Sequence, residues 1–327
     1  MSAYPNQVSM RVFRHYADVK GVGPTVTAIG NFDGVHYGHQ HLLDRAQTRA
    51  VSMGAQAAVL TFHPHPADIV GRAKPVMPLY SLVDRCQFLN GYGIDTILAQ
   101  TFDLKFAALT PRLFVETVLV GALNVSAVVI GYNFAFGAKR AGRLPELKQL
   151  GDEFGFAVEV IASVTDAPDS EISSTRIRKA VLEGRLADAC SCLGRPHAST
   201  GLVVQGEQRG REIGFPTLNV SPETQTLPPV GVYAGWLDTG HHCYPAVANL
   251  GHTPTFGEAR PRRLEVHALD VELPASYGQR VRFYFSTRLR AEQKFESKDG
   301  LIKQISRDCQ AARLALAGEP KPRTFGL

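Results

Sequence analysis

Two histidines three residues apart, His36 and His39, close a glycine-rich stretch at 30–39 that reads GNFDGVHYGH. An apolar run at 25–32 leads into this stretch, and a helical pattern begins where it ends. Glycines let backbone amides approach phosphate oxygens, and a helix N-terminus adds partial positive charge. With Gly38 between them, both imidazoles can face one anion and stabilise charge on an α-phosphate and its pyrophosphate leaving group. The stretch therefore predicts a site for a nucleoside triphosphate; the alternative is a tight turn with two surface histidines.

Three further segments carry groups suited to binding. TFHPHP at 61–66 follows the second apolar run, and its aromatic ring could stack on a flat ligand; a rigid proline turn is the alternative. The two histidines of this segment have no Cys or carboxylate partner at zinc spacing. GYNFAFG at 131–137 places an amide among aromatic rings, and an aromatic-capped strand end is its alternative. ISSTRIR at 172–178 sets hydroxyls and an arginine at a helix start, which is typical of an anion site and also of a simple serine N-cap.

A second group of candidate residues follows near the middle of the chain. In GEQRGREIGFPTLN (206–219), three glycines spaced by four residues predict a flexible flap whose amides and arginines can hold phosphates. Thr217 and Asn219 are two apart, so they share one face of a strand and suit a hard cation such as Mg²⁺. Glu265, in RLEVH at 263–267, could accept the proton of an alcohol that attacks a γ-phosphate. The alternatives are a Pro-Thr turn and a solvated strand glutamate.

The elements that must position these residues differ between the two halves. Apolar runs alternate with helical patterns in the first half, which predicts an α/β domain with a doubly wound parallel sheet and ligands at the carboxyl ends of its strands. Thr110 and Pro111 fit the N-cap and first position of one helix. After about residue 190, short strands follow without helices, which predicts a small antiparallel barrel or sandwich with a helix at 298–316 and a loose tail. The predicted strands are 25–32, 57–62, 95–102, 126–134, 157–164, 201–207, 216–220, 231–238, 244–251, 263–273 and 280–286.

Composition limits the class of protein. The 327 residues are 44% hydrophobic and 20% charged, enough for a sizeable core and about two domains. The net charge of +5 is small and scattered, so it does not indicate a nucleic-acid partner. No apolar run approaches a membrane span, and the N-terminus lacks the apolar core of a signal peptide. Five widely spread cysteines indicate free thiols in a reducing cytoplasm.

The motifs GNFDGVHYGHQ, TFHPHP, GYNFAFGAKRAG and ISSTRIR, in this order, resemble the FAD synthetase module of prokaryotic bifunctional riboflavin kinase/FAD synthetases. The resemblance implies a Rossmann-like nucleotidyltransferase domain at 1–185. An aspartate is frequent in that family where Asn133 stands here; asparagine keeps a hydrogen-bonding group and lacks the charge. The resemblance further implies that His36 and His39 are catalytic and that Phe62, His65 and Asn133 belong to the FMN and FAD pocket. The residues that it implies bind ATP are Gly30, Asn31, Phe32, Asp33, Gly34, Ser174, Thr175 and Arg176.

The second half resembles the riboflavin kinase module of the same family, through GRPHASTGLVVQGEQRGREIGFPTLN, VGVYAGW, NLGHTPTF, LEVHALD and the RLRAEQKFESKDGLIKQISRD ending. The resemblance implies a riboflavin kinase-like six-stranded antiparallel β-barrel with a terminal helix at 186–327. Together the two resemblances cover roughly residues 20–315. The implied roles are catalytic base for Glu265, Mg²⁺ binding for Thr217 and Asn219, ATP binding for these two and for Gly206, Gly210 and Gly214, and flavin binding for Arg290 and Glu292.

The expected function is a two-step synthesis. The second domain would phosphorylate riboflavin to FMN with ATP and Mg²⁺, and the first would adenylylate FMN to FAD and release pyrophosphate. Two alternatives stay open: a barrel that binds or senses flavin without catalysis, and a basic nucleic-acid-binding barrel for which RVRFYFS (280–286) is the only candidate surface. The expected partners are small molecules alone, with no nucleic acid and no membrane, and the oligomeric state is left open.

Overall fold

The computed structural model of the chain describes residues 10–71, 75–167, 170–206, 209–223, 226–252, 262–274 and 276–327. Contacts divide the chain into two compact units. The first consists of Met1–Met77 and Arg85–Ile172, and the second of Pro78–Asp84 and Ser173–Leu327. The boundary between two catalytic domains that the sequence predicts at 185/186 stays a prediction.

The first unit is built on a six-stranded parallel sheet in the order β1-β4-β3-β2-β5-β6. Its central strands are apolar runs that are buried on both faces, as the sequence predicts. The chain builds β2, β3 and β4 in one direction and then crosses to place β5 on the other side of β2. In parallel sheets, ligands typically bind beside such a change of direction, at the carboxyl ends of the strands. The strands are β1 (Arg11–Phe13), β2 (Thr25–Ile29), β3 (Gln56–His63), β4 (Thr96–Thr101), β5 (Val125–Gly131) and β6 (Ala157–Ile161). The short strands β7 (Thr165–Ala167) and β8 (Ser170–Glu171) form a separate antiparallel pair.

Helices connect these strands. Thr110 caps one of them by accepting from the N–H of Leu113 at 3.2 Å, and Pro111 occupies its first turn, as predicted. That helix continues as a π-helix through Val115–Ala122, which the apolar periodicity did not distinguish from an α-helix. The helices are α1 (Tyr37–Met53), α2 (Pro66–Ile69), α3 (Leu82–Gly91), α4 (Leu104–Ala107), α5 (Pro111–Phe114) and α6 (Leu144–Phe154), with 3₁₀ turns at Tyr16–Asp18 and Ala138–Arg140.

The second unit is a closed barrel of six antiparallel strands in the order β10-β13-β12-β11-β14-β9. Its inward side chains, among them Tyr233, Leu264, Val266 and Phe283, form one buried cluster. The predicted barrel is therefore confirmed, although one strand ends at Ala268 and not at residue 273. The elements are α7 (Ser174–Leu182), α8 (Leu186–Leu193), β9 (Ala198–Val204), α9 (Arg209–Glu212), β10 (Leu218–Pro222), β11 (Gly231–Asp238), β12 (Cys243–His252), β13 (Arg262–Ala268), β14 (Arg280–Arg290) and α10 (Lys298–Leu316).

A segment from the first half of the chain, Pro78–Asp84, is part of this second unit. Its Asp84 carboxylate lies 3.0 Å from a guanidinium nitrogen of Arg282, and both side chains are fully buried. Arg282 also donates to the carbonyls of Phe325 and Gly326 at 3.0 and 3.2 Å. The expectation of a loose C-terminal tail is therefore wrong, because a buried arginine holds its backbone.

Candidate active sites

The turn after β2 has an unusual backbone. Phe32 and Val35 adopt left-handed φ values of 50° and 43°, and Gly34 between them has a φ of 93°. Such values cost about 1 kcal/mol or more for side chains other than glycine, so they persist only where the surroundings impose them. Here both Phe32 and Val35 are fully buried, and Gln40 Nε2 donates to the Val35 carbonyl at 2.9 Å. The turn is therefore rigid, as a preformed binding loop must be.

His36 and His39 lie together at the start of α1. Their rings stack with centroids 3.7 Å apart, and His36 is the N-cap whose Nδ1 accepts from the N–H of His39 at 3.4 Å. Since Nδ1 accepts, Nε2 of a neutral His36 carries the proton. Gly38 leaves room for this ring, since a Cβ there would lie 3.2 Å from His36 Cε1. The spacing of the two histidines thus gives one stacked pair at a positive helix end, as the phosphate-site prediction requires.

The turn after β3 lies beside the turn after β2. His65 caps α2 by accepting from the N–H of Ala67 at 3.1 Å, and its Nε2 lies 3.0 Å from Asn31 Nδ2. Burial and the charges of Arg85 and Arg14 lower the pKa of His63, which keeps that imidazole neutral. The two turns therefore form one continuous rim at the carboxyl ends of neighbouring strands.

The remaining residues predicted for the first site lie in different surroundings. Phe62 packs against Phe102 and Phe106 with ring centroids 5.7 and 6.1 Å away, so at least part of its ring serves the core. Asn133 is exposed in the turn after β5, and Asp33 is buried in the turn after β2. Ser173 caps α7 by accepting from the N–H of Arg176 at 3.3 Å, which leaves Ser174, Thr175 and Arg176 in the first turn of a helix counted with the second unit.

In the barrel, strand register aligns the candidate kinase residues. Asn219 on β10 is directly opposite Glu265 on β13, so their side chains share a face of the sheet. Leu264 and Val266 point into the core, and the Asn219–Glu265 face is therefore the outer face of the barrel. Thr217, two residues before Asn219, is half-buried at the entry to β10. The structure thus places Asn219 and Glu265 side by side on one face of the sheet, and their roles in binding and catalysis stay predictions.

Two glycines of the predicted flap are fixed by close approach. A Cβ on Gly206 would lie 2.2 Å from Asn219 Nδ2, and a Cβ on Gly210 would lie 2.4 Å from the Phe215 carbonyl and 3.2 Å from Thr217 Oγ1. Both glycines therefore allow the segment to lie on top of the candidate magnesium residues. Gly214 has a left-handed φ of 83°, and residues 207–208 of the flap lie outside the described residues.

Two residues beside Glu265 were not singled out from the sequence. His267, on the same face of β13, donates from Nδ1 to the Pro216 carbonyl at 2.8 Å and so holds the start of the PTLN turn. Asn249 on β12 is directly opposite Glu265, and its Nδ2 lies 3.3 Å from Glu292 Oε1. The even spacing of His267 from Glu265 was a usable signal, whereas the Asn249 contact depends on strand register, which sequence patterns do not fix.

Arg290 at the end of β14 makes a bidentate ion pair with Asp308 of α10, with nitrogen–oxygen distances of 2.7–3.0 Å. Gln304 also donates to Asp308, at 2.9 Å. In this structure the guanidinium of Arg290 fixes the terminal helix against the barrel. Its predicted contact with flavin stays a prediction, as does that of Glu292.

A parallel sheet in which strand β2 leads to a histidine-bearing helix start is typical of a nucleotidyltransferase, and an oxygen-rich strand face under a glycine flap suits a small-molecule kinase. The fold and the candidate residues thus indicate the class of ATP-dependent transferases. The family model described as FAD synthetase matches residues 20–176, and that described as riboflavin kinase matches residues 193–316. The chain belongs to the family of bifunctional riboflavin kinase/FMN adenylyltransferases.

Named relatives agree with this assignment. The bifunctional riboflavin kinase/FMN adenylyltransferase of Escherichia coli strain K12 is 39% identical over 289 residues, which are 88% of this chain and 91% of that protein. The protein of the same name from Bacillus subtilis strain 168 is 36% identical over 88% of this chain and 91% of its own length. The order of the two domains along the chain is the order of the two matching family models.

A solved structure also matches along nearly the whole chain. It has a TM-score of 0.82 and 30% sequence identity, covers 94% of this chain and 99% of its own, and is titled a macrolide-efflux protein from Streptococcus pneumoniae. Among the residues that the structure describes here, no helix is both long and apolar enough to cross a membrane. The TM-score and the coverage of nearly the whole chain support the fold described above.

Proposed function

We propose that the chain makes FAD in two successive ATP-dependent steps at the two sites described above. The chain is a transferase with riboflavin kinase and FMN adenylyltransferase activities. In the first step the γ-phosphoryl group of ATP passes to the primary alcohol of the ribityl chain, giving FMN and ADP. In the second, the FMN phosphate attacks the α-phosphorus of a second ATP, giving FAD and pyrophosphate. The stacked pair of imidazoles at the N-terminus of α1 is the observation that carries this assignment of the first unit.

In the adenylylation step the nucleophile is a phosphate that is already ionised at neutral pH. No general base is therefore needed, and catalysis consists of stabilising the charge that develops on the α-phosphate and the leaving pyrophosphate. His36 suits this role because its ring is held at the N-terminus of α1, where Nδ1 accepts from the His39 N–H and the two imidazoles stack. The N-terminal amides of α1 add positive potential at the same place.

The other residues assigned to this site have supporting roles in the proposal. Amides of residues 30–34 contact the ATP phosphates in this proposal. The ATP-binding roles of Ser174, Thr175 and Arg176 stay predictions from the family resemblance. Phe62, His65 and Asn133 line the flavin and nucleotide pocket. Supporting this, the Asn31–His65 contact at 3.0 Å makes the phosphate turn and the pocket turn one surface.

In the kinase step Glu265 accepts the proton of the attacking alcohol. Glu265 is exposed on the outer face of the barrel, where substrate can reach its carboxylate. It lies directly opposite Asn219 on the neighbouring strand. Glu292, held near Asn249, and Arg290 lie on the flavin side of the site in this proposal.

Thr217 and Asn219 would hold the Mg²⁺ ion that accompanies ATP. Both offer neutral oxygen donors, the kind that Mg²⁺ accepts alongside phosphate oxygens and water, and both lie under the glycine flap. Bound there, the ion would neutralise charge on the transferred phosphoryl group. Among the described residues no group of three or more His, Cys, Asp or Glu side chains is placed to hold a metal ion.

We place the adenylyltransferase domain at 1–185 and the kinase domain at 186–327. An excised fragment 186–327 lacks Asp84, the buried counter-charge of Arg282, and the complete chain is therefore the form to assay. We also propose a cytoplasmic location, which the five free cysteines support.

The test is to incubate the full chain with riboflavin, ATP and Mg²⁺ and to separate the flavins by chromatography over time. The proposal expects FMN to appear first and FAD to follow, with pyrophosphate released in proportion to FAD. Chelation of Mg²⁺ by EDTA should stop both products, and added Mg²⁺ should restore them. Riboflavin that stays unchanged, or FAD that forms without a preceding supply of FMN, would contradict the proposal.

A further inference from the structure

Arg85 is a buried arginine close to the adenylylation site, and no motif of the sequence pointed to it. It lies in α3 with only 6% of its surface exposed. One guanidinium nitrogen, Nη1, donates to the carbonyls of Asn31 and Phe62 at 2.9 and 3.0 Å and to Thr61 Oγ1 at 3.2 Å. A buried cation that is directed at three oxygen atoms of two strand ends indicates a specific role, since its desolvation is expensive.

The three oxygens belong to the two turns that form the rim of the site. Asn31 follows β2 and belongs to the glycine-rich turn, and Phe62 lies at the end of β3, where TFHPHP begins. Thr61 Oγ1 donates in turn to the same Asn31 carbonyl at 3.0 Å. The Asn31 carbonyl is thus held by two donors, and one cation joins both turns.

Holding these carbonyls also sets the direction of backbone donors. In a trans peptide the N–H points away from the C=O, so the bond from Arg85 to the Asn31 carbonyl turns the N–H of Phe32 to the opposite side. A cation on the carbonyl also polarises the peptide and strengthens that N–H as a donor. Phe32 is the first residue of the turn with a left-handed φ. The peptide between Asn31 and Phe32 is therefore the first whose orientation must be fixed for the turn to form.

Buried electrostatics are consistent with this arrangement. Burial lowers the pKa of the Arg85 guanidinium, and the Asp33 carboxylate opposes that shift. Asp33 is itself buried in the glycine-rich turn. The negative charge of the turn therefore offsets part of the cost of burying Arg85.

We propose that Arg85 is a positioning residue of the FMN adenylyltransferase site, which fixes the two turns so that their amides and imidazoles meet the transition state of nucleotidyl transfer. The inference rests on the proposed role of these turns in binding ATP. It assigns Arg85 no contact with substrate. Because the three acceptors all face one nitrogen, the three N–H donors of a lysine ammonium can replace it, whereas an uncharged side chain of similar length cannot.

The experiment compares Arg85→Met and Arg85→Lys in the full chain, with FMN and ATP as substrates of adenylylation and with riboflavin phosphorylation assayed on the same preparations. Arg85→Met should lower kcat/KM of adenylylation on the order of 10- to 100-fold, mainly through kcat, because a misplaced turn harms the transition state more than ground-state binding. Arg85→Lys should recover most of that loss. Riboflavin phosphorylation should change less than about twofold in both variants, as it takes place at the other site.

Two controls keep the result interpretable. Arg45→Met makes the same substitution in an exposed ion pair with Glu159 and should leave adenylylation unchanged. Thr61→Val removes the second donor to the Asn31 carbonyl and should cause a smaller loss in the same direction. Far-UV circular dichroism on all variants reports whether the fold is retained.

The inference is overturned if Arg85→Met adenylylates FMN at a rate within about threefold of the parent, or if Arg85→Lys is no better than Arg85→Met. An equal loss in both reactions would also overturn it, because Arg85 would then act through the stability of the whole chain. If the unmodified chain did not adenylylate FMN at all, the proposed function itself would be contradicted. That outcome is distinct from the variant results above, which test only the role of Arg85.

Discussion

Asp84 provides a quantitative test of how the second unit is held together. Its carboxylate Oδ1 lies 3.0 Å from Arg282 and 3.2 Å from Arg280, and it is fully buried, as is Arg282. Asp84→Asn keeps the shape and one acceptor but leaves the buried Arg282 without its counter-charge. Breaking such a pair on one side destabilises a protein by about 3–5 kcal/mol. Since the asparagine oxygen still accepts, we expect a loss at the lower end, about 3 kcal/mol, in the free energy of unfolding of the second unit.

The assay is urea unfolding followed by tryptophan fluorescence. The chain has one tryptophan, Trp236 in β11, so the signal reports the barrel alone. With a urea dependence of about 2 kcal/mol per molar, a loss of 3 kcal/mol lowers the midpoint by about 1.5 M. The control is Asp270→Asn, which breaks an exposed pair with Arg313 and should change stability by less than about 1 kcal/mol. If Asp84→Asn were as mild as this control, the second unit would not depend on Pro78–Asp84 as we argue.

Two further predictions concern pH and the histidine pair. Burial lowers the pKa of His197 from 6.5 to about 4, so between these pH values the unfolded chain binds a proton that the folded chain does not. The free energy of unfolding of the second unit should therefore fall by up to about 3 kcal/mol as the pH is lowered from 6.5 to 4. Urea unfolding followed by Trp236 fluorescence should show a weaker pH dependence in His197→Gln. An equal slope in both proteins would contradict it. Gly38→Ala should lower the rate of FMN adenylylation about tenfold by displacing the His36 ring, even though alanine favours a helix. The control Ser52→Ala, at an exposed position of the same helix, should change the rate less than twofold. A Gly38→Ala enzyme of normal activity would contradict the close contact of residue 38 with the His36 ring.

Much of the architecture follows from local sequence patterns. Alternating apolar and helical runs predict the parallel sheet, and strands without intervening helices predict the barrel, since each pattern reports which faces are buried. The short edge strand Arg11–Phe13 was missed because three residues with an exposed valine carry too little periodicity. The π-helical turns of Val115–Ala122 were also missed, because a change of hydrogen-bond register hardly alters the apolar pattern.

The candidate sites were partly predictable for a related reason. Spacing places His36 with His39, because three residues of chain at a helix start bring the two rings together. Arg85 was not predicted, since an arginine in an amphipathic helix is typical of the solvated face, and only the fold turns it toward two strand ends. The pairing of Asp84 with Arg282 joins residues 198 positions apart, a distance over which single-sequence patterns give no information.

The central claim is that one chain carries two chemically independent sites. Initial rates of FMN formation from riboflavin and of FAD formation from supplied FMN, measured side by side for Glu265→Gln and His36→Ala, test it most directly. We expect Glu265→Gln to lose about 100-fold or more in riboflavin phosphorylation and to adenylylate FMN within about twofold of the parent, with the opposite result for His36→Ala. A parallel loss of both reactions in either variant, in a chain that remains folded, would contradict the claim.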